Sequence, residues 1–344
     1  MKMSKSAIAL AISTSFLFGC DFDIGSENQP TTPPPPPPTN PDADTITLLN
    51  ERIRALPALD DEDYDADNIG TVTVFATGEY NNGIVVIDRP VNLLGEDGAI
   101  IDSSCTLVQR YETNSDGSSA HDPDTNPLTK IKNVNIENIT FTGAAEEACS
   151  INESGTTART AIYLAGDTGG QINFTNLNFE PNADDKAPQH TWLYTRGQFE
   201  LTGSSFSKLD SLSGILVNAG SAAARKGSLI HNNTFELLDG FSSSEPTAGI
   251  QIGHKTVNDA GYELDLTHKD GKNAALAAVQ VYNNTFSGFD YNIEDSFPND
   301  SYNLAVFAND AQDPEFEVGT KPTNIISDQA IDDSGLKVEY NAFN

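Results

Sequence analysis

One short pattern recurs along the chain and restricts its fold more than any other feature. Asn135-Ile-Glu-Asn-Ile-Thr-Phe141 is followed by Asn173-Phe-Thr-Asn-Leu-Asn-Phe179 and Glu200-Leu-Thr-Gly-Ser-Ser-Phe206. Ile230-His-Asn-Asn-Thr-Phe235, Val281-Tyr-Asn-Asn-Thr-Phe286 and Val338-Glu-Tyr-Asn-Ala-Phe343 complete the series. The phenylalanines are 38, 27, 29, 51 and 57 residues apart. A spacing of 27–29 suits one coil of a solenoid. The two longest suit either two coils or one coil carrying a long loop. Each coil of such a fold cannot bury its own apolar face and must stack on the next. Asparagine suits the bend because it tolerates left-handed backbone and bonds its neighbours. In a stack, such side chains can also bond one another from coil to coil. Phenylalanine, just after the bend, turns inward and stacks on its equivalents.

Between the copies lie further short strands: Thr160-Ala-Ile-Tyr-Leu164, Gly214-Ile-Leu-Val217, Gly249-Ile-Gln-Ile252 and Asn303-Leu-Ala-Val-Phe307. Thr71-Val-Thr-Val-Phe75, Gly83-Ile-Val-Val-Ile-Asp88, Val91-Asn-Leu-Leu-Gly95 and Ala99-Ile-Ile-Asp102 precede them. Strands this short and frequent, with no helices between them, exclude a doubly wound α/β fold. Residues 45–57 read as a short amphipathic helix. Leu48, Leu49, Ile53 and Leu56 are assigned to one face, and Pro57 ends it. That helix would cover the first coil, whose unpaired edge otherwise invites aggregation. The expected architecture of residues 44–344 is all-β, a right-handed parallel β-helix with a short N-terminal capping helix. A β-sandwich or propeller is the alternative.

The repeat grammar of residues 70–343 resembles that of the pectin-lyase-like right-handed parallel β-helix superfamily. That superfamily holds polysaccharide lyases, glycoside hydrolases and non-catalytic surface and phage proteins. The resemblance lies in the repeats and not in catalytic motifs. Gly253-His254-Lys255 is the nearest approach to the Gly-His-Gly of the polygalacturonase type, and Asp184-Asp185 has no preceding Asn-Thr-Asp. The Arg-x-Pro-x-x-Arg of pectate lyases is absent.

The first twenty residues carry an export signal. Lys2 and Lys5 precede the apolar run Ala7 to Phe16, which is too short for a permanent membrane span. Leu17-Phe18-Gly19-Cys20 resembles the bacterial lipobox, with cleavage after Gly19 and lipid on Cys20. Residues 1–19 are therefore read as signal peptide and 20–43 as lipidated cysteine plus linker. The linker holds Pro30 and the run Pro33 to Pro38. In polyproline II form the stretch from Pro30 to Pro41 reaches up to ~37 Å at ~3.1 Å per residue. The expected location is the cell envelope, lipid-anchored outside the cytoplasm, with the outer membrane or surface favoured. Asp21 leaves the inner membrane open, because enteric-type sorting retains such lipoproteins there. Two cysteines remain, Cys105 and Cys149, and an oxidising compartment favours their pairing.

Formal net charge is −31, and losing Lys2 and Lys5 with the leader makes it −33. Such a surface repels nucleic acid and anionic headgroups. Against this background residues 186–272 are near neutral. They hold Lys186, Arg196, Lys208, Arg225, Lys226, Lys255, Lys269 and Lys272, with His190, His231, His254 and His268. Arg196, Arg225, Lys226, His254 and Lys255 lie close to strands, and a ladder of them would suit an acidic polysaccharide. In β-elimination, Arg225, Lys226, His254 or Lys255 would remove the proton beside a uronate carboxylate while another cation neutralised it. Arg196 would bind substrate, and Trp192, Tyr194 and Tyr262 would stack on sugar faces. Asp210, Asp239 and Asp295 are conceivable Ca²⁺ ligands, although no calcium-binding repeat is present. His231, within the repeat, reads as a turn residue. Two functions follow: a monomeric envelope protein that binds, or cleaves, an acidic polysaccharide, and a non-catalytic adhesion β-helix that binds a protein partner. The bland alternative is that the cations pair weakly with nearby surface acids.

Overall fold

The bends form as the sequence suggests. Asn138, Asn176, Asn232 and Asn283 have φ of 58°, 52°, 57° and 55°, and Gly203 takes the equivalent place at φ 66°. A left-handed residue there lets the chain turn sharply between two strands, and the residue three positions later is the inward phenylalanine. In the computed structural model, residues 44–81, 83–118, 128–143, 149–150, 157–158, 160–166, 169–182, 191–209, 213–218, 228–239, 247–253, 280–289, 301–306, 323–324, 337–339 and 342–343 are described.

Three long sheets result, and the chain visits them in turn. The first contains Thr71–Val74, Val91–Gly95, Lys132–Glu137, Gly170–Thr175, Glu200–Thr202, Leu229–His231, Gln280–Tyr282 and Lys337–Glu339. The second contains Tyr80–Asn81, Ile100–Asp102, Thr140–Thr142, Asn178–Glu180, Ser205–Leu209, Thr234–Leu237, Thr285–Ser287 and Ala342–Phe343. The third contains Ile84–Ile87, Cys105–Val108, Thr160–Leu164, Thr191–Thr195, Ser213–Asn218, Thr247–Gly253 and Ser301–Val306. These strands pair in parallel throughout, and only Thr323–Asn324 joins the third sheet antiparallel. The architecture is a parallel β-helix.

Register settles the spacing left open by the repeats. Phe141, Phe179, Phe206, Phe235, Phe286 and Phe343 are successive Cα partners in the second sheet. The 51- and 57-residue intervals are therefore single coils with long insertions. Ring centroids lie 5.4, 4.4, 4.7 and 4.9 Å apart from Phe141 to Phe286, each pair stacked within 16°. That is close to the 4.7–4.9 Å between paired strands, so the rings follow the sheet without distorting it.

Polar ladders run beside the phenylalanines. Asn233 and Asn284 are buried, and each donates to a carbonyl of the preceding coil, Leu201 and Ile230 respectively. The Nδ2 of Asn233 also reaches the Oδ1 of Asn284 at 3.0 Å. On the first sheet a second ladder joins Asn92, Asn135 and Asn173 at 2.6 and 2.7 Å. A buried amide left unpaired would cost about 1–3 kcal/mol, and stacking satisfies these groups through the next coil.

The helix Ile46–Arg54 caps the first coil. Ile46, Leu49 and Ile53 are buried against the core, and Leu56 packs partly against it. Leu48 departs from the expected face and is 45 % exposed. One residue before Leu49, it sits about 100° around a 3.6-residue helix. Asn50 completes the edge of the third sheet: its Nδ2 donates to the Ile84 carbonyl and its Oδ1 accepts from the Val86 N–H, both at 2.8 Å. Arg89, 3 % exposed, fastens the far end of the helix. Its Nη1 donates to the carbonyls of Arg54 and Leu56, and its Nε to Asp88 at 2.9 Å.

Candidate functional site

The third sheet is apolar on both faces, which the first two are not. Its core face carries Ile162, Leu164, Leu193, Ile215 and Val217. Strands alternate faces, so Tyr163, Ala165 and Tyr194 fall on the opposite one. There they form a separate cluster with Cys105 and Leu107. Tyr163 and Tyr194 stack with centroids 4.9 Å apart and planes 12° off parallel. Burial, opposed by Arg196, pushes the Tyr163 hydroxyl up to about 12.

Two arginines follow the C-terminal ends of these strands. Arg196 continues the ladder past Thr195, its N–H donating to the Leu164 carbonyl at 2.9 Å. Arg110 follows the preceding coil's strand, Cys105–Val108, and its aliphatic stem lies over Gly166. A Cβ at Gly166 would sit 3.3 Å from Arg110 Cδ, and that glycine has φ +136°. The Arg110 guanidinium rests over the Tyr111 ring at 4.7 Å. Both Nε atoms are shielded from solvent and have no acceptor. Neither arginine forms an ion pair among the described residues.

The residues singled out in the sequence divide as follows. Arg196 and Tyr194 are half-buried at this strand end. Trp192 is not a sugar platform. It departs from the strand alternation and is fully buried in the core beside Leu193, 5.9 Å from Phe179. Arg225, Lys226, His254 and Lys255 lie outside the described residues, as do Tyr262, Asp210 and Asp295. The Thr247–Gly253 strand that leads into His254 is registered on the third sheet, with Gly253 opposite Asn218. Of the other cations in the near-neutral window, Lys208 lies exposed in a bulge of the second sheet, and His231 belongs to the first. His231 ends a strand just before the bend, stacks on Tyr282 at 4.7 Å, and its Nε2 meets Glu200 at 2.8 Å. Among the described residues no group of three His, Cys, Asp or Glu could hold a metal ion. No helix among them is long and apolar enough to cross a membrane. Sequence reasoning missed Arg110, because it lies far upstream of the window; an arginine just after a third-sheet strand was the available signal.

A second buried group lies nearby in sequence. Glu112 is 1 % exposed and accepts from the Tyr64 hydroxyl, while its Oε1 has no partner among the described residues. Burial raises its pKa above the ordinary 4.5, outweighing Tyr64, Lys132 and Arg89, which lower it. The native state therefore holds this proton more tightly than the unfolded chain. Stability contributed here is present at low pH and declines as pH rises from 4.5 through the folded value. Glu112→Gln should abolish that decline. Urea midpoints for the two proteins should converge below pH 4.5 and separate above it, with the variant the more stable. Parallel curves would show that Glu112 does not titrate with folding.

Compared with protein-family models, curated proteins and solved structures, the chain matches none.

Proposed function

We propose that this chain is an envelope lipoprotein whose β-helix binds an acidic polysaccharide along the outer face and C-terminal edge of its third sheet. The observation that carries the reading is that Arg110 and Arg196, each following a third-sheet strand, have shielded Nε atoms without an acceptor and no ion pair among the described residues, in a chain of net charge −31. The half-buried Tyr194 supports the same reading, since carbohydrate rings pack on aromatic surface. A solenoid repeats its contacts from coil to coil, and a polymer that repeats likewise can add weak contacts through multivalency. In this reading the superfamily is pectin-lyase-like, the protein is tethered by lipid on Cys20, and residues 21–43 are its spacer.

Cys105 pairs with Cys149 in the same reading. Support comes from the contact between the Cys105–Val108 and Cys149–Ser150 strands. The bond would pin the small antiparallel pair Cys149–Ser150 with Thr157–Ala158 near the outer cluster.

The test begins with Cys20→Ala, which should move the protein from the membrane to the soluble fraction. That soluble form is then run through gels containing alginate, pectate or a sulfated galactan, with a neutral galactan as control. Retention by an acidic glycan, weakening with salt as charge contacts do, supports the reading. Absorbance from unsaturated products would make the protein a lyase, and retention without it a binding module. Free migration in every acidic gel at low salt would remove the glycan reading and leave the adhesion alternative.

A further inference from the structure

We infer that the last coil of the solenoid is a docking edge for a second copy of this chain, joined tail to tail by antiparallel pairing of Lys337–Glu339 with itself. The inference is independent of the glycan reading. The two ends of the β-helix are finished differently. At the first coil the helix Ile46–Arg54 covers the core, and Asn50 supplies hydrogen bonds to the edge strand Ile84–Ile87. At the last coil the third sheet closes with Thr323–Asn324, which pairs antiparallel on Ser301–Val306. The first and second sheets end in Lys337–Glu339 and Ala342–Phe343. Among the described residues each of these pairs on one side only, with Gln280–Tyr282 and Thr285–Ser287 respectively. Val338 and Phe343 are in register with the buried Val281 and Phe286, so this edge continues the columns of the core.

A terminal coil has one neighbour where an inner coil has two, so it needs something to finish it. A strand edge with free N–H and C=O groups is a template for another strand. Charge selects a second copy as the occupant. Lys337 and Glu339 flank Val338. An antiparallel pair centred on Val338 therefore sets Lys337 opposite the partner subunit's Glu339, and Glu339 opposite the partner subunit's Lys337. Opposite charges meet twice at this edge, in a chain whose fifty acids against nineteen lysines and arginines make its copies repel elsewhere. A parallel pair in the same register would set like charge against like, which is destabilising. A two-fold axis through Val338 makes the contact self-complementary and closed, so assembly stops at the dimer. The capping helix blocks continued stacking at the other end.

Sedimentation velocity on the Cys20→Ala form, over a series of concentrations, tests the contact. That form should pass from monomer to dimer as concentration rises, with no larger species. Lys337→Glu and Glu339→Lys should each weaken the dimer roughly tenfold or more, since two attractive cross-strand pairs become repulsive. An equal mixture of the two variants should restore it, because each copy then offers the charge that the other lacks. Lys208→Gln, in the bulge of the second sheet, should leave the equilibrium unchanged. Backbone hydrogen exchange at residues 337–339 should slow as the dimer forms. Circular dichroism and urea midpoints establish that each variant is folded. If a charge reversal does not fold, Lys337→Gln and Glu339→Gln take its place, with a smaller loss expected of each. A chain that stays monomeric at every concentration would overturn the inference. So would a dimer indifferent to the folded variants, or a mixture of reversals no better than either alone.

Discussion

Phe235→Ala is expected to lower the unfolding free energy by roughly 3–5 kcal/mol, the range for truncating a fully buried phenylalanine. Phe235 is 0 % exposed and lies between Phe206 and Phe286, at 4.7 and 4.9 Å. Removing its ring interrupts the stack on both sides. It also leaves a cavity that neighbours cannot easily fill, because their backbones are held in register by the sheet. The same truncation at the exposed Phe75, after the first strand, should cost much less. Urea unfolding followed by circular dichroism measures both. A loss below about 1 kcal/mol for Phe235 would place it outside a packed core. A solenoid adds a specific expectation: coils near position 235 should lose hydrogen-exchange protection before those near the capping helix, since each coil is stabilised mainly by its neighbours.

Arg89→Ala should be comparably damaging, by about 3–5 kcal/mol, for a different reason. The Arg89 and Asp88 side chains are only 4 % and 8 % exposed. Removing the guanidinium leaves a buried carboxylate whose remaining partners include the Thr113 hydroxyl, which donates to it at 2.6 Å. It also removes the donors to the Arg54 and Leu56 carbonyls, which hold the end of the helix on the first coil. Loosening that helix exposes Leu49 and Ile53 and the strand edge that Asn50 satisfies. The expected result is a lower urea midpoint together with concentration-dependent aggregation. Asp88→Asn combined with Arg89→Met should recover part of the loss, because the uncompensated charge is gone. If the double variant is no better than Arg89→Ala, the damage comes from the helix contacts and not from the orphaned acid.

The two predictions differ in how far the sequence anticipates them. The Phe235 stack follows from the repeat. The buried Arg89–Asp88 pair has no signature beyond two adjacent opposite charges, a pattern that is usually solvated. It is buried because the helix passes over it, a contact that joins residues some 35 positions apart. Arg196 drew notice because of the cations around it in sequence; Arg110, whose Nε is likewise shielded without an acceptor, belongs to an earlier coil and had no such neighbours.

Local chemistry determined the bends, the inward phenylalanines and the strand alternation. Left-handed φ at Asn138, Asn176, Asn232 and Asn283 and the burial of the following phenylalanine are fixed within a few residues. Their recurrence therefore specifies a stacked parallel β-helix from sequence alone. Tertiary structure decided what depends on coil length and on which face a residue meets. It made the 51- and 57-residue intervals single coils, placed Leu48 in solvent, and turned Trp192 into the core. It also placed Lys208 on the second sheet and His231 on the first, away from Arg196 at the end of a third-sheet strand. Loops of unequal length separate neighbours in space by very different distances in sequence, so side-by-side contacts on the outside of the solenoid leave no regular period to read.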